Sequence, residues 1–254
     1  MSARRAILLF GHRGARGEAP ENTLPGFAHA YAAGVRAFEL DVRLTADERL
    51  AVIHDAAVDR TTDASGPVAS FSAAELGRLD ARADFPQWPE PCGVPLLDDV
   101  LDEFASKVRF AIEIKQDTPE RLERVATLLA GAIARHRLED RVAVTSFERS
   151  ALELMRRAAP GVPRVYIGAY DTPVFLETAL ALGCVQADIP LKRSSAEMVR
   201  AAQRAGLRVV GWLGNAPEDL SALLDWDVGG ITTDHPTMAL GYLQARGIAA
   251  DRWP

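Results

Sequence analysis

Eight short apolar or β-branched runs, each followed by a stretch with helical spacing of apolar residues, constrain this chain more than any other feature. The runs fall at 7–10, 37–42, 109–114, 142–146, 164–167, 185–189, 209–213 and 230–233. The segments 24–33, 98–105, 120–135, 149–158, 173–182, 196–204, 218–224 and 236–246 read as amphipathic helices. Start signals precede several of them: Thr118-Pro119-Glu120, Ser194-Ser195 before Glu197, and Asn215-Ala216-Pro217-Glu218. Strand and helix alternating eight times predict an α/β fold of the closed (β/α)₈ type, a TIM barrel. An open doubly wound sheet is the competing arrangement. It usually carries an early glycine-rich fingerprint, and Gly11-His12-Arg13-Gly14 lacks the third glycine at the required spacing.

One stretch breaks the alternation. Between His54 and Asp98 the chain holds Gly66-Pro67, Phe85-Pro86, Pro89 to Pro91, Gly93-Val94-Pro95 and Trp88, with a brief helical piece near 73–79. A long excursion after the second strand is normally functional. We read residues 1–254 as one barrel domain with a small cap-like insertion at 56–97. Apolar residues make up 48% and charged residues 25% of the chain, which suits a folded protein with an ample core. The net charge of −6 comes with no basic block, so nucleic acid is not an expected partner. The apolar run 6–10 is too short for a signal-peptide core, and no integral membrane contact is expected. Cys92 and Cys184 have no metal-type or redox-type spacing and read as reduced thiols, in keeping with a cytoplasmic protein.

The reactive residues gather at the C-terminal ends of the strands, the active face of a barrel. His12 and Arg13 follow the first run, Glu39 and Asp41 close the second, and Glu113 and Lys115 close the third. Trp212 closes the seventh and Asp234 follows the eighth. Strand side chains alternate, so Glu39 and Asp41 share a face, as do Glu113 and Lys115. Three carboxylates without a thiolate are hard oxygen ligands, suited to Mg²⁺ or Ca²⁺, with Mn²⁺ a third candidate. Against Arg13 and Lys115 they leave one excess negative charge, which a divalent cation reverses. Only then would the site attract a phosphodiester monoanion and stabilise charge growing on its oxygens. His12 and His54 suit the two proton transfers that phosphodiester cleavage needs.

Plainer roles compete at several positions. Arg13 and Lys115 also suit neutralisation of buried carboxylates. Glu21-Asn22-Thr23 doubles as a helix start, and Trp212 suits either the core or the substrate side. His29, His136 and His235 read as structural, while Phe147, Asp188 and Asp234 simply stand at the right ends of strands.

The set His12-Arg13-Gly14, Glu21-Asn22-Thr23, Glu39-Leu40-Asp41-Val42, His54-Asp55, Glu113-Ile114-Lys115 and Gly230-Ile231-Thr232-Thr233-Asp234-His235-Pro236 resembles the glycerophosphodiester phosphodiesterase family, in order and spacing over nearly the whole chain. The resemblance implies hydrolysis of a glycerophosphodiester to sn-glycerol 3-phosphate and an alcohol. It implies metal binding by Glu39, Asp41 and Glu113, and acid/base work by His12 and His54. Arg13 and Lys115 would lie near the phosphate, with Glu21, Asn22 and Trp212 among the substrate contacts. One histidine would deprotonate the glycerol 2-hydroxyl while the other protonates the departing alkoxide, giving a cyclic phosphate that water then opens. Direct attack by water is the alternative. The short insertion resembles the compact cytoplasmic bacterial type, for which a homo-oligomer is also an open expectation. Around Trp212 the family often has a Trp-Thr-Val-Asn type of segment, where this chain has Trp212-Leu213-Gly214-Asn215.

Competing functions are a lysophospholipase D-like phosphodiesterase and a non-catalytic phosphodiester-binding protein on the same fold. A third is a metal-free lyase using Lys115 as a Schiff-base nucleophile, which requires a depressed lysine pKa.

Overall fold

The computed structural model describes residues 6–168 and 173–250. Its strands are β1 (Ala6–His12), β2 (Ala37–Leu44), β3 (Leu50–Val52), β4 (Arg109–Ile114), β5 (Val142–Ser146), β6 (Arg164–Ile167), β7 (Gln186–Pro190), β8 (Arg208–Trp212), β9 (Gly230–Thr233) and β10 (Ala249–Ala250). The helices are α1 (Leu24–Ala33), α2 (Ala73–Leu76), α3 (Leu97–Phe104), α4 (Pro119–His136), α5 (Arg149–Ala158), α6 (Pro173–Ala181), α7 (Ala196–Arg204), α8 (Pro217–Asp225) and α9 (Pro236–Ala245).

Parallel pairing runs β1-β2-β4-β5-β6-β7-β8-β9, and β9 pairs back onto β1, which closes the ring. This is the (β/α)₈ barrel that the alternation predicts. β3 and β10 lie outside the ring. β3 folds back antiparallel on β2, Val42 facing Val52, and β10 adds two residues beside Ala6 and Ile7. Neither was expected: β3 has three buried residues and so no visible alternation, and β10 is two alanines. Two predicted strands shift by one residue, because β7 starts at Gln186 rather than at the exposed Val185 and β8 starts at Arg208.

The local chemistry explains the boundaries. The hydroxyls of Thr23, Thr118 and Ser195 accept from the backbone N–H of Gly26, Arg121 and Met198, and so cap α1, α4 and α7. Asp99 accepts from the N–H of Leu96 at 2.9 Å and starts α3. The main core lies between strands and helices, with Phe27, Phe38 and Phe104 in mutual ring contact and Phe110 against Phe38. Inside the barrel, Leu8, Phe10, Ala37, Ala111 and Val210 form a plug below the reactive layer. A smaller core of Ile53, Val58, Val68, Leu76, Ala81 and Val94 holds the excursion between β3 and α3. Among the described residues no helix is long and apolar enough to cross a membrane.

Candidate active site

Above the plug, the C-terminal ends of the ring strands enclose a cavity of about 210 Å³. Ladder register decides what meets there. His12 is paired with Glu39 across β1 and β2, Asp41 with Glu113 across β2 and β4, and Glu113 with Thr145 across β4 and β5. Because these residues face the barrel interior, three carboxylates on two adjoining strands converge. One oxygen each of Glu39, Asp41 and Glu113 lies within 4.8 Å of the others.

Two cations are held against this trio. Lys115 Nζ lies 2.6 Å from Glu113 Oε1 and 2.8 Å from Asp41 Oδ1. The Arg13 guanidinium lies 3.3 Å from Asp41 Oδ2 and 2.9 Å from Glu21 Oε1. Asn22 Nδ2 donates to Asp41 Oδ2 at 2.8 Å. Burial pushes the Asp41 carboxyl up, but Lys115 and Arg13 beside it prevail and hold it well below the usual carboxylate range. For Glu39 the balance reverses: burial, then the charges of Asp41 and Glu113, push it well above that range. Burial and Asp41 likewise push Glu113 up to about 7, against the pull of Lys115. Only with all three ionised does the trio exceed the charge of Arg13 and Lys115, the crowding that raises Glu39 and Glu113, and all of its ligand atoms are hard oxygens. It fits a divalent cation. Lys115 itself is raised: burial lowers it, but Asp41 and Glu113 outweigh that. A protonated Lys115 is a poor Schiff-base nucleophile.

The turn carrying Arg13 is unusual in its backbone. Arg13 has φ 49° and Gly14 φ 84°, so two successive residues sit in the left-handed region. A Cβ on Gly11 would lie 2.1 Å from the Gly14 carbonyl oxygen, which accounts for glycine there. This bend brings the Arg13 N–H to Glu39 Oε2 at 3.1 Å.

Each of the two cavity histidines has one ring nitrogen tied to a carboxylate. His12 Nδ1 lies 2.5 Å from Asp234 Oδ1, and His54 Nδ1 lies 2.6 Å from Asp55 Oδ1. Both aspartates are held in turn. Asn215 Nδ2 donates to Asp234 Oδ2 at 2.7 Å, and the Asp234 N–H donates to Asn215 Oδ1 at 2.8 Å. Arg60 Nε donates to Asp55 Oδ2 at 2.7 Å, while its terminal nitrogens donate to Glu21 at 2.7 and 2.9 Å. Burial favours the neutral acid at Asp234, yet His12 and Asn215 hold its carboxyl below the usual range. At Asp55 the hydrogen bonds from Arg60 and His54 do the same. An ionised partner on Nδ1 keeps a proton there and leaves Nε2 to exchange protons in the cavity. His12 Nε2 is 3.8 Å from Glu39 Oε2. Burial lowers the His54 pKa, Lys115 and Arg13 add to that, and Asp41 opposes it.

His12, Arg13, Glu39, His54, Glu113 and Lys115 line one wall, and Phe147, Ile167, Asp188, Trp212 and Leu213 line the other. Trp212 meets Phe147 edge-on, with ring centroids 6.4 Å apart. Asp41, Glu21 and Asn22 are buried behind the first wall, where Glu21 receives Arg13, Arg16 and Arg60. His29, His136 and His235 line no part of the cavity. Asp234, Asn215 and Arg60 are the residues that sequence reasoning undervalued or missed. For the first, the signal was its place after the last strand.

A profile of the glycerophosphoryl diester phosphodiesterase family matches residues 12–238. A glycerophosphodiester phosphodiesterase of Bacillus altitudinis is 32% identical, the alignment covering 91% of this chain and 96% of that one. A crystal structure of a glycerophosphoryl diester phosphodiesterase assignment from Silicibacter pomeroyi DSS-3 superposes with a TM-score of 0.90 at 30% identity, covering 98% and 97% of the two chains. An Oleispira antarctica phosphodiesterase, solved with its product sn-glycerol-3-phosphate, shares the fold with a TM-score of 0.87 at 23% identity, covering 94% and 97%.

Proposed function

This chain belongs to the glycerophosphoryl diester phosphodiesterase family, and from that membership we propose that its barrel mouth hydrolyses glycerophosphodiesters to sn-glycerol 3-phosphate and an alcohol. The observation that carries the reading is the pair of imidazoles, each buttressed by a carboxylate on Nδ1, facing one cavity with the carboxylate trio.

Glu39, Asp41 and Glu113 would hold one divalent cation, Mg²⁺ or Ca²⁺ first and Mn²⁺ after them. When bound, that ion supplies Lewis-acid neutralisation of charge on the phosphoryl oxygens. Arg13 and Lys115 set the charge of the phosphate side, and Glu21 and Asn22 contribute by holding Arg13 and Asp41 in place. Nε2 of one histidine takes the proton of the glycerol 2-hydroxyl as its oxygen attacks phosphorus, and Nε2 of the other gives a proton to the departing alkoxide. The product of that step is a cyclic glycerol phosphate, and water opens the ring with the two roles exchanged. An attacking group already attached to the phosphate gains the proximity advantage of an intramolecular reaction. Trp212 bounds the organic part of the substrate. The excursion 56–97 belongs to the same domain and works as a shoulder to the mouth, since its Arg60 braces both Asp55 and Glu21. Two unpaired cysteines suit the cytoplasm as the place of work.

The test is release of glycerol 3-phosphate from glycerophosphocholine and glycerophosphoethanolamine by protein stripped with chelator and resupplied with Mg²⁺, Ca²⁺ or Mn²⁺. Product restored by metal is expected. Silence with every ion would overturn the reading. Normal turnover of a substrate lacking the 2-hydroxyl would remove the cyclising route alone.

A further inference from the structure

One carboxylate of the cavity has no part in the chemistry above. Asp188 sits in β7, and its side chain lines the wall opposite the metal-binding trio. Ring order makes the placement definite: β7 is four strands from β2 in either direction around the barrel, diametrically across from Glu39 and Asp41. Gln186, buried in the barrel interior two residues earlier, donates to Asp188 Oδ1 at 2.7 Å from its side-chain amide. Most other carboxylates around the mouth are matched, and Glu39 faces His12 Nε2 at 3.8 Å. Asp41 and Glu113 have Lys115, Glu21 has three arginines, Asp55 has Arg60 and His54, and Asp234 has His12. Asp188 has no cationic partner among the described residues, although it is only 9% exposed. A carboxylate held in such surroundings lacks a counter-charge.

Its neighbours in the cavity point to what supplies that charge. Phe147 and Trp212 line the same wall, edge to face, and Phe147 is 47% exposed. Aromatic faces beside an unpaired carboxylate are the surroundings in which an organic ammonium is held. Independently, the hydroxyl of Thr145, a residue 1% exposed, lines the cavity with no partner. The wall thus offers polar groups awaiting a ligand as well as apolar surface.

Resting on the phosphodiesterase reading, we propose that Asp188, with Phe147 and Trp212, forms a subsite for a cationic leaving alcohol, so that the enzyme selects diesters whose alcohol bears an ammonium group. The phosphate lies on the basic and metal-binding side with the histidines. The alcohol spans the mouth to the β7–β8 side. Glycerol carries no charge, so only the variable alcohol can supply the counter-charge that keeps Asp188 ionised against the burial that pushes its carboxyl up to about 7.

The experiment compares kcat/KM for glycerophosphocholine and glycerophosphoethanolamine with that for glycerophosphoglycerol and glycerophosphoinositol, at saturating metal. Wild-type protein, Asp188→Asn and Phe147→Leu are each checked for an unchanged circular dichroism spectrum. We expect the wild type to favour the cationic diesters by about tenfold or more, and Asp188→Asn to collapse that ratio toward one. Phe147→Leu should lower the ratio more for choline than for ethanolamine. A wild-type ratio near one would overturn the subsite, as would an Asp188→Asn loss equal for all four diesters, which would place Asp188 on the shared glycerol. Either result leaves the phosphodiesterase reading intact. Silence of the wild type on all four diesters would instead overturn that reading, and the subsite with it.

Discussion

Replacing Asp234 by asparagine tests the histidine assignment more sharply than removing the histidine. The substitution keeps size and shape but deletes the charge 2.5 Å from His12 Nδ1. An ionised acceptor on Nδ1 is what keeps the proton there and the Nε2 lone pair available. An amide at 234 is still fixed by Asn215, whose own amide oxygen accepts the 234 backbone N–H. It can also present its NH₂ to His12, favouring the tautomer with the proton on Nε2, toward Glu39 Oε2 3.8 Å away. Loss of one charge-assisted hydrogen bond is worth ~1.5–3 kcal/mol. Expressed entirely in the barrier, that is roughly a 10- to 150-fold fall in kcat, and the tautomer change pushes toward the upper end. KM should change little, since the lost interaction strengthens only as His12 becomes charged. The assay is steady-state glycerol 3-phosphate release for wild type, Asp234→Asn, His12→Ala and the double variant. Because Asp234 acts through His12, the double variant should be no slower than His12→Ala. Activity of Asp234→Asn within threefold of wild type, or multiplicative losses in the double variant, would refute the reasoning.

Further expectations concern stability and metal. In metal-free protein Glu39 and Glu113 keep protons when folded that they release when unfolded, Glu113 up to about 7. Stability should therefore fall as pH climbs from about 5 to about 8, and saturating divalent cation should flatten that slope; a metal-free Tm independent of pH would contradict it. The lowered carboxyls Asp41, Asp55 and Asp234 contribute stability that is lost only on acidification below this window. Arg60→Ala should lower kcat by freeing Asp55 and should reduce urea stability by ~1–2 kcal/mol, since Glu21 retains Arg13 and Arg16; unchanged kcat would detach the excursion from catalysis. Phe38→Ala removes a ring that is 0% exposed and packed on three others, and should cost ~3–5 kcal/mol in denaturant unfolding. A loss under 1 kcal/mol would argue against this packing.

How much was legible depended on whether a feature has a local signature. The strands at 109–114, 142–146, 164–167 and 230–233 coincide with those observed, because apolar runs between clear breaks mark a buried parallel strand. Val185 misled by its β-branched side chain, since β7 starts at Gln186, and its partner in the next strand is Arg208, whose charge stays at the exposed strand start. In the site, the two-residue spacing of Glu39 with Asp41 and of Glu113 with Lys115 revealed shared faces. The partner of His12 lies 222 residues away, and only closure of the ring brings it there. Arg60 was invisible for another reason: it lies in the excursion, where no periodicity fixes direction. Sequence reasoning expected Arg13 and Lys115 beside a phosphate; it left their engagement with buried carboxylates as an option, and that engagement is what their ion pairs record.

The seam of the barrel has a consequence for synthesis. β1 leaves the ribosome well before β9, yet Leu8 to Gly11 find their partners in Gly230 to Thr233. Until those residues emerge, β1 and β8 each present an unpaired edge, the kind of surface that invites aggregation. The contact is of very high sequence separation, so its loop-closure entropy falls late in folding. His12 stands on one side of that seam and Asp234 just past the other. The nascent chain therefore gains the carboxylate that fixes the His12 tautomer in the same event that seals the cylinder, and a half-finished barrel leaves that imidazole without its partner.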